Sequence, residues 1–272
     1  YSLKSFYRFF VMVFFRFFLV LVIVFFSPVF IGSAVATVEK EMVLIPSGEY
    51  LMGSEKGKGR PDEYPRHKVF LDTFYFDRFE VTGEDFEEYL SSNSSQHPTI
   101  TGWWGRQVRP DMKKRPVFGL SWKRCKNFCE WKGKRLATEA EWERVASGLN
   151  GRKYPWGNSP PNQKKANFNR CCFIRKGLTT EEVGNYRLGS TPEGIYDLAG
   201  NIAEWVYDWY DKNYYNKSEY LNPQGPKNGV NHTIRGGAWN SLSGYLRSSA
   251  RYGYDEAKDF YGIGCRCAMS AK

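Results

Sequence analysis

The feature that most constrains this chain is the loss of regular periodicity after residue 150. Turn-forming residues make up RKYPWGNSPPNQ (152–163), and Gly-Asn interrupts the aromatic-rich segment 195–210. The 272 residues include 26 Gly, 13 Pro and 17% aromatic residues. Chains of this kind form loop-rich folds that large side chains hold together. We therefore expect one α+β domain with much irregular structure, in which disulfides or cations stabilise the loops.

The N-terminus carries a ten-residue apolar run, FFLVLVIVFF at 17–26, which follows basic residues. An A-x-A motif ends at Ala36, as at a signal-peptidase site. Residues 1–36 therefore predict a cleaved signal peptide and an exported, periplasmic protein. The alternative is a retained membrane anchor with an extracytoplasmic, membrane-associated body, although Arg16 and Pro28 interrupt such a span.

The distribution of charge and the spacing of the cysteines argue against a nucleic-acid-binding site and a structural zinc site. The net charge of +10 is scattered along the chain without a nucleic-acid-binding motif, so we expect no nucleic-acid partner. In an exported protein, an even number of cysteines, here six, indicates disulfides. Because no C-x-x-C pair is present, a structural zinc site is not expected. No pairing is assigned to the adjacent Cys171 and Cys172.

Local patterns predict three helices and several short strands. Thr82, with Asp85 three residues later, begins the first helix. Ser121 begins the second, which stops at Gly133. A capping box, residues 138–141, begins the third helix, which runs to about Ser147. Strands are expected in 41–53, in 68–82 as one long or broken strand, in IRGGAW (234–239) and in GIGCRCA (262–268).

A series of short motifs follows in order along the chain: GEYLMGS (48–54), RPVFGLSW (115–122), FCEWKGKRLATEAEW (128–142), YPWGN (154–158), GIYDLAGNIAEWVYDWY (194–210), NPQGP (222–226), RGGAW (235–239) and GIGCRCA (262–268). This succession resembles the formylglycine-generating enzyme family, also known as the sulfatase-modifying factor domain. The match runs from about residue 41 to 268, and we assign residues 41–270 to this domain. The resemblance implies a variant of the C-type lectin fold with little regular secondary structure.

Enzymes of this family oxidise a cysteine of sulfatases to formylglycine with oxygen and a copper ion that two cysteines hold. Counted from Arg235, the corresponding positions here are Ser241 and Leu246. Cu(I) prefers soft sulfur ligands, which a hydroxyl and an isobutyl group cannot replace. The resemblance therefore implies no copper, no formylglycine production by that mechanism and no confirmed catalytic residue.

The family also implies a disulfide between the cysteine of FCEW and one near the C-terminus, here Cys129 and Cys267. Cys125 lies one helical turn before Cys129, and Cys265 lies two residues before Cys267. A parallel Cys125–Cys265 bridge is therefore expected as well. The alternative is that these two thiols stay reduced and bind a metal.

Structural calcium is a property of the family, and one site is built around a G-N-x-x-E-W loop, matched here by residues 200–205. The implied ligands are the Asn201 amide, the Ile202 carbonyl and the Glu204 carboxylate. A weaker second site is implied at Asn167 and the Phe168 carbonyl. Under the alternative interpretation, Asn201 caps a turn and Glu204 pairs with an arginine.

The substrate groove of the family crosses the surface at the RGG segment. Candidate lining residues combine aromatic rings with arginines, which provide large and rigid contact areas. They are Trp239, Asn240, Ser241, Tyr245, Arg247, Arg251 and Tyr252, with Trp103 and Trp104 on the rim. Under the alternative interpretation, arginines act as internal struts on buried glutamates: Arg235, Arg247 and Arg251 with Glu139, Glu141 or Glu204.

The sequence is consistent with two functions. The first is an exported, non-copper binding or accessory module whose partner is a protein, a peptide, a glycan or a membrane complex. The alternative is a periplasmic oxidase-type enzyme with different chemistry on the same scaffold, as in one branch of the family that lacks the cysteine pair. The well separated His67, His97 and His232 disfavour the branch that carries an iron site.

Overall fold

The computed structural model describes residues 41–92, 103–104, 107–170, 180–255 and 262–271, with the backbone alone at 103–104. The predicted signal or anchor, residues 1–36, lies outside the described residues, as do Cys171 and Cys172. Among the described residues, no helix has the length and apolar character needed to cross a membrane.

The described chain alternates short helices with short strands. The helices are α1 (Gly83–Ser92), α2 (Trp122–Trp131) and α3 (Glu139–Ser147). The strands are β1 (Met42–Ile45), β2 (Gly48–Met52), β3 (His67–Leu71), β4 (Phe74–Asp77), β5 (Trp103–Trp104), β6 (Gln107–Val108), β7 (Arg135–Leu136), β8 (Ala203–Trp209), β9 (His232–Arg235), β10 (Arg251–Tyr254), β11 (Ile263–Cys265) and β12 (Cys267–Ser270). Short 3₁₀ turns and irregular segments connect them, and the predicted α+β domain with much irregular structure is confirmed.

Two four-stranded sheets form the centre of the fold. The first has the order β1-β4-β12-β7 and is antiparallel. The second has the order β10-β9-β8-β11, in which β11 runs parallel to β8. Only Arg266 separates β11 from β12, so the chain passes there directly from the second sheet into the first.

The predicted helix starts agree with the structure because they depend on local hydrogen bonds. Thr138 Oγ1 accepts from the Glu141 amide at 3.2 Å, and Glu141 Oε2 accepts from the Thr138 amide at 2.8 Å. Helix α3 then ends at Ser147, as expected. Ser121 directly precedes α2, and Gly133 follows its end with φ at +70°.

The strands are shorter than their sequence patterns indicate. The segment 68–82 holds only β4 and most of β3, because residues 78–82 leave the ladder before α1. In the RGG segment, β9 ends at Arg235, and the two following glycines have φ values of +86° and +71°, which turn the chain away from the sheet. The sequence pattern does not predict strand β8. This strand is mostly buried on both faces and therefore lacks the alternation of apolar and polar residues that marks a half-buried strand.

One of the two expected disulfides is present. Cys129 on α2 is bonded to Cys267 on β12, with 5.6 Å between the Cα atoms. Cys125 and Cys265 are instead buried free thiols joined by a hydrogen bond, so the second bridge is not formed. Burial raises the pKa of the Cys125 thiol well above its usual value, which disfavours the thiolate that oxidation requires.

Candidate functional site

The RGG segment forms one wall of a surface cavity. A Cβ on Gly236 would lie 2.9 Å from the Leu198 carbonyl oxygen, so the turn after β9 requires glycine where two backbones approach. The cavity beyond this turn has a volume of about 410 Å³, which lies within the usual size range of ligand pockets. Four of the predicted groove residues line it: Asn240, Ser241, Tyr245 and Tyr252.

Two stacked tyrosines form an aromatic wall of this cavity. The rings of Tyr245 and Tyr252 lie 4.7 Å apart between centroids with an interplanar angle of 17°. The Arg60 guanidinium lies over the Tyr252 ring, 4.4 Å from its centroid, in a cation–π contact. Burial raises the pKa of Tyr252, against the opposing effect of Arg60. Sequence reasoning missed Arg60, because nothing in its local pattern links it to a segment so far along the chain.

The positions of the family's copper ligands carry no sulfur here. Ser241 lines the cavity, and its Oγ accepts a hydrogen bond of 2.9 Å from the Ala238 amide. Leu246 is 1% exposed and packs in an apolar cluster with Tyr154. A Cβ on Gly237 would lie 3.3 Å from Ser241 Cβ and 3.2 Å from Leu246 Cδ2, so both side chains flank the same point. The paired position therefore persists with a hydroxyl and a hydrocarbon.

Three predicted groove residues do not line the cavity, and two of them are Trp239 and Arg247. Trp239 is only 8% exposed, and its indole Nε1 has no hydrogen-bond partner among the described residues. Arg247 pairs with the buried carboxylate of Glu63, with Nη2 at 2.6 Å from Oε1. A buried carboxylate requires such a partner, and this requirement determines where Arg247 points. Trp103 and Trp104 form β5, and their side chains lie outside the description.

Arg251 is also an internal strut and not a groove residue, as the alternative interpretation predicts. Glu139, the first residue of α3, binds Arg251 at 2.7 Å and Arg235 at 3.5 Å. Arg235 further pairs with Glu143 at 2.5 Å, and all four side chains are buried. Burial opposes the ionisation of Glu139, but the charges of Arg251 and Arg235 outweigh this effect and lower its pKa.

The predicted calcium ligands already accept hydrogen bonds from the protein. Both oxygens of Glu204 accept from Arg266, and Oε2 also accepts from the Trp142 indole at 2.7 Å. Asn201 Oδ1 accepts from the Glu181 amide at 2.9 Å. Glu204 therefore pairs with an arginine, which is the alternative that the sequence left open.

Other polar groups of the remaining implied ligand residues also have partners within the protein. The carbonyl of Asn167 accepts from the Asn201 amide at 2.8 Å, and that of Phe168 accepts from Gln163 Nε2 at 3.0 Å. Ile202 is buried, and its amide donates to a Glu80 oxygen at 3.2 Å. In the described part of the chain, no group of three or more His, Cys, Asp or Glu side chains is arranged for a metal. Calcium needs six to eight converging oxygens, so binding here would require the Asn201 and Glu204 oxygens to exchange their present partners.

The sheets, the cavity and the altered ligand positions together define a domain of the formylglycine-generating type, a variant of the C-type lectin fold without the thiolate pair. Residues 30–271 match the family model described as the sulfatase-modifying factor enzyme 1-like domain, and the chain belongs to that family.

Named relatives differ widely in the activities that their names state. Serine/threonine-protein kinase pkn1 of Chlamydia pneumoniae is 38% identical over 246 residues, which cover 85% of this chain and 38% of that protein. The chain thus spans well under half the length of this relative. The formylglycine-generating enzyme of Streptomyces coelicolor is 30% identical over 281 residues, 84% of this chain and 89% of that enzyme. PvdO from Pseudomonas aeruginosa matches in structure with a TM-score of 0.70 and 25% identity, over 85% of this chain and 94% of that one.

Proposed function

We propose that this domain is an exported, non-copper binding module that holds a polypeptide segment of a partner in the 410 Å³ cavity. The observation that carries the proposal is the pair Ser241 and Leu246, which offers a hydrogen-bonded hydroxyl and a buried hydrocarbon. Cu(I) has no soft ligand in such a pair. The recognition surface of the family's site thus remains without its redox centre.

The lining of the cavity favours binding over catalysis. Its described lining holds no carboxylate, imidazole, amine or thiol, so the Ser241 hydroxyl has no such general base beside it to activate it as a nucleophile. Stacked tyrosines lose little side-chain entropy when a partner packs on them. Ile234 and Ile263 add apolar wall, and Asn240 offers an amide donor and acceptor. A peptide, with alternating apolar side chains and backbone amides, matches this combination.

In this proposal residues 1–36 direct export or anchor the protein, so the module works in the periplasm or at an extracytoplasmic membrane complex. The Cys129–Cys267 disulfide supports an oxidising compartment. Mass spectrometry of the N-terminal peptide from cell fractions tests this part. A mature start after Ala36, or an intact segment in the membrane fraction, agrees with it, whereas an intact soluble cytoplasmic protein does not.

Metal analysis and oxygen uptake test the chemistry. The purified chain is expected to contain only substoichiometric copper and to consume no oxygen with a sulfatase-type cysteine peptide. Copper at one ion per chain together with conversion of that cysteine to an aldehyde would contradict the proposal. Another redox metal with peptide-dependent oxygen uptake would favour the oxidase-type alternative.

Two matched variants test the cavity as the binding site. Tyr245 and Tyr207 are similarly exposed, at 41% and 43%, and only Tyr245 lines this cavity. In cross-linking from membranes followed by mass spectrometry, the same partner peptide should be captured by the wild type and by Tyr207→Ala. It should be lost with Tyr245→Ala. Equal capture by Tyr245→Ala would place the interface elsewhere.

A further inference from the structure

A second cleft lies away from the RGG segment and shares no lining residue with the 410 Å³ cavity. It consists of two adjoining cavities of about 350 Å³ and 460 Å³. Tyr207, Asn222 and Gln224 line both and so form their junction. Asn222 is fixed there by two hydrogen bonds of 2.8 Å with Asp72. The cleft is thus elongated, with a well-held junction.

Aromatic rings line the smaller cavity in a rigid arrangement. The His232 ring is stacked between the rings of Trp122 and Trp209, with 3.8 Å between centroids on either side. The Trp122 indole donates to the Val206 carbonyl at 2.9 Å, which holds its orientation. Tyr207 lies next to Trp122, at 6.2 Å between centroids, and is 43% exposed. A ligand therefore meets aromatic surfaces whose positions are set before it binds.

Polar side chains around these rings are available for a ligand. Among the described residues, the side chains of Glu219, Gln224 and Lys227 form no hydrogen bond or ion pair, and all three are exposed. The charged side chains that line the two cavities are three basic and four acidic ones, so the cleft is close to neutral. They are Lys126, Arg135 and Lys227 with Asp72, Glu130, Glu141 and Glu219.

We infer that this cleft binds an oligosaccharide of β-linked pyranose units with equatorial substituents. Such a ring presents a face of C–H groups, and their partially positive hydrogens are attracted to the negative face of an aromatic ring. Its hydroxyls point outward in the ring plane, where they both donate and accept hydrogen bonds. Gln224, Glu219 and Lys227 supply the complementary acceptors and donors.

The charge balance of the cleft disfavours the other polymer that an elongated groove could hold, a polyanion, because charges that nearly cancel offer it no net attraction. The two joined cavities each lie within the size range of small-ligand pockets. A chain of several sugar units, with one ring at Tyr207 and others along the larger cavity, therefore matches the shape better than a single sugar.

Isothermal titration of the full chain with cellotetraose, chitotetraose and maltotetraose tests this inference. We expect at least one of the two β-linked sugars to bind with a Kd of about 0.1–1 mM, and the α-linked maltotetraose to bind at least about tenfold more weakly. Tyr207→Ala should weaken binding about tenfold or more, whereas Tyr207→Phe, which keeps the ring, should stay within about twofold. Gln224→Ala should weaken it by a smaller factor. Unchanged thermal unfolding of these surface variants serves as the folding control.

Tyr245→Ala, in the other cavity, is the matched control and should bind the sugar as the wild type does. The inference is overturned if neither β-linked tetraose binds at about 10 mM. It is equally overturned if maltotetraose binds as tightly, or if Tyr207→Ala leaves the affinity unchanged. Because Tyr245→Ala tests the peptide cavity and Tyr207→Ala tests this cleft, either proposal can fail without the other.

Discussion

The guanidinium of Arg266 lies against the carboxylate of Glu204, with 2.7 Å between Nη2 and Oε1, and both side chains are buried. Arg266 stands in the one-residue gap between β11 and β12, and Glu204 lies on β8. The guanidinium also donates to the carbonyls of Asp77, Arg78 and Tyr196. This ion pair therefore fastens the second sheet to the crossing point where the chain enters the first.

Glu204→Gln should lower the free energy of unfolding by about 3–5 kcal/mol, because it removes the carboxylate that is directly hydrogen-bonded to the buried Arg266 guanidinium. Urea unfolding measures this change. Glu219→Gln, at an exposed carboxylate, is the control and should change stability by less than about 0.5 kcal/mol. Equal losses of unfolding free energy in the two variants would show that the buried Glu204–Arg266 pair stabilises the fold no more than an exposed carboxylate does.

Removal of calcium should leave the stability of the described domain unchanged, since Asn201 and Glu204 already hold protein partners. We expect the Tm in EDTA and in millimolar CaCl₂ to agree within about 1 °C, well under the shift that 1 kcal/mol would cause. A Tm that falls in EDTA and recovers with calcium, but not with magnesium, would instead show that the family's calcium site forms in this chain.

The double variant Ser241→Cys/Leu246→Cys should gain tight Cu(I) binding that the wild type lacks, because the two side chains flank the same point above Gly237. Each single variant, with one sulfur, should bind copper far more weakly. Leu246→Cys should also cost about 2 kcal/mol of stability, since it removes buried methyl groups from an apolar cluster. Competition with a Cu(I) chelator measures affinity. A double variant that takes up no more copper than the wild type would contradict the placement.

Asp197 should make stability depend on pH between about 4 and 6. Burial, with a smaller contribution from the charge of Glu204, raises the pKa of Asp197 from 3.8 to about 6. Because the folded pKa lies above the unfolded one, the stabilisation is present below pH 3.8 and is lost as pH rises through about 6. Asparagine tolerates the left-handed φ of +60° at this position. The free energy of unfolding of Asp197→Asn, relative to that of the wild type, should therefore rise by about 3 kcal/mol between pH 4 and pH 7. Urea unfolding at pH 4 and at pH 7 measures this change. The same difference in unfolding free energy between variant and wild type at both pH values would contradict the prediction.

Loss of the Cys129–Cys267 bridge should cost about 5 kcal/mol in the chain-entropy model, because it closes a loop with a sequence separation of 138. Cys129→Ala/Cys267→Ala measured in urea tests the value. Cys125→Ala/Cys265→Ala is the matched control, and it should cost less because no covalent link is lost. Peptide mapping after alkylation in denaturant should label Cys125 and Cys265 and leave Cys129 and Cys267 unlabelled. A linked Cys125–Cys265 peptide would show that the second predicted bridge forms in solution.

Features that depend on neighbours along the chain were predictable from the sequence. The cap of α3 follows from Thr138 and Glu141, three residues apart. Partners that only the fold brings together were not. Arg251 meets Glu139 across 112 residues, and no local pattern distinguishes such a strut from a groove arginine. Four residues that the family resemblance assigned to the groove line one cavity, while Arg60 comes from a loop that no motif marked.

The second cleft illustrates the same limit. Trp122, Tyr207 and Gln224 come from a helix, a strand and a loop, and each has an ordinary local environment in the sequence. The segment to which the sequence assigned the groove contains two arginines, Arg235 and Arg251, whose charges pair with buried glutamates inside the protein. The sequence alone does not distinguish a buried charged side chain from an exposed one, because its counterion is known only from the fold.

Arg235 and Arg251 each contact Glu139, so both ends of the stretch 235–251 are held by a single carboxylate. Residues 236–250 run between these two fixed points, and Ser241 and Leu246 lie among them. Gain or loss of a sulfur pair at Ser241 and Leu246 therefore changes the site while both arginine anchors stay in place.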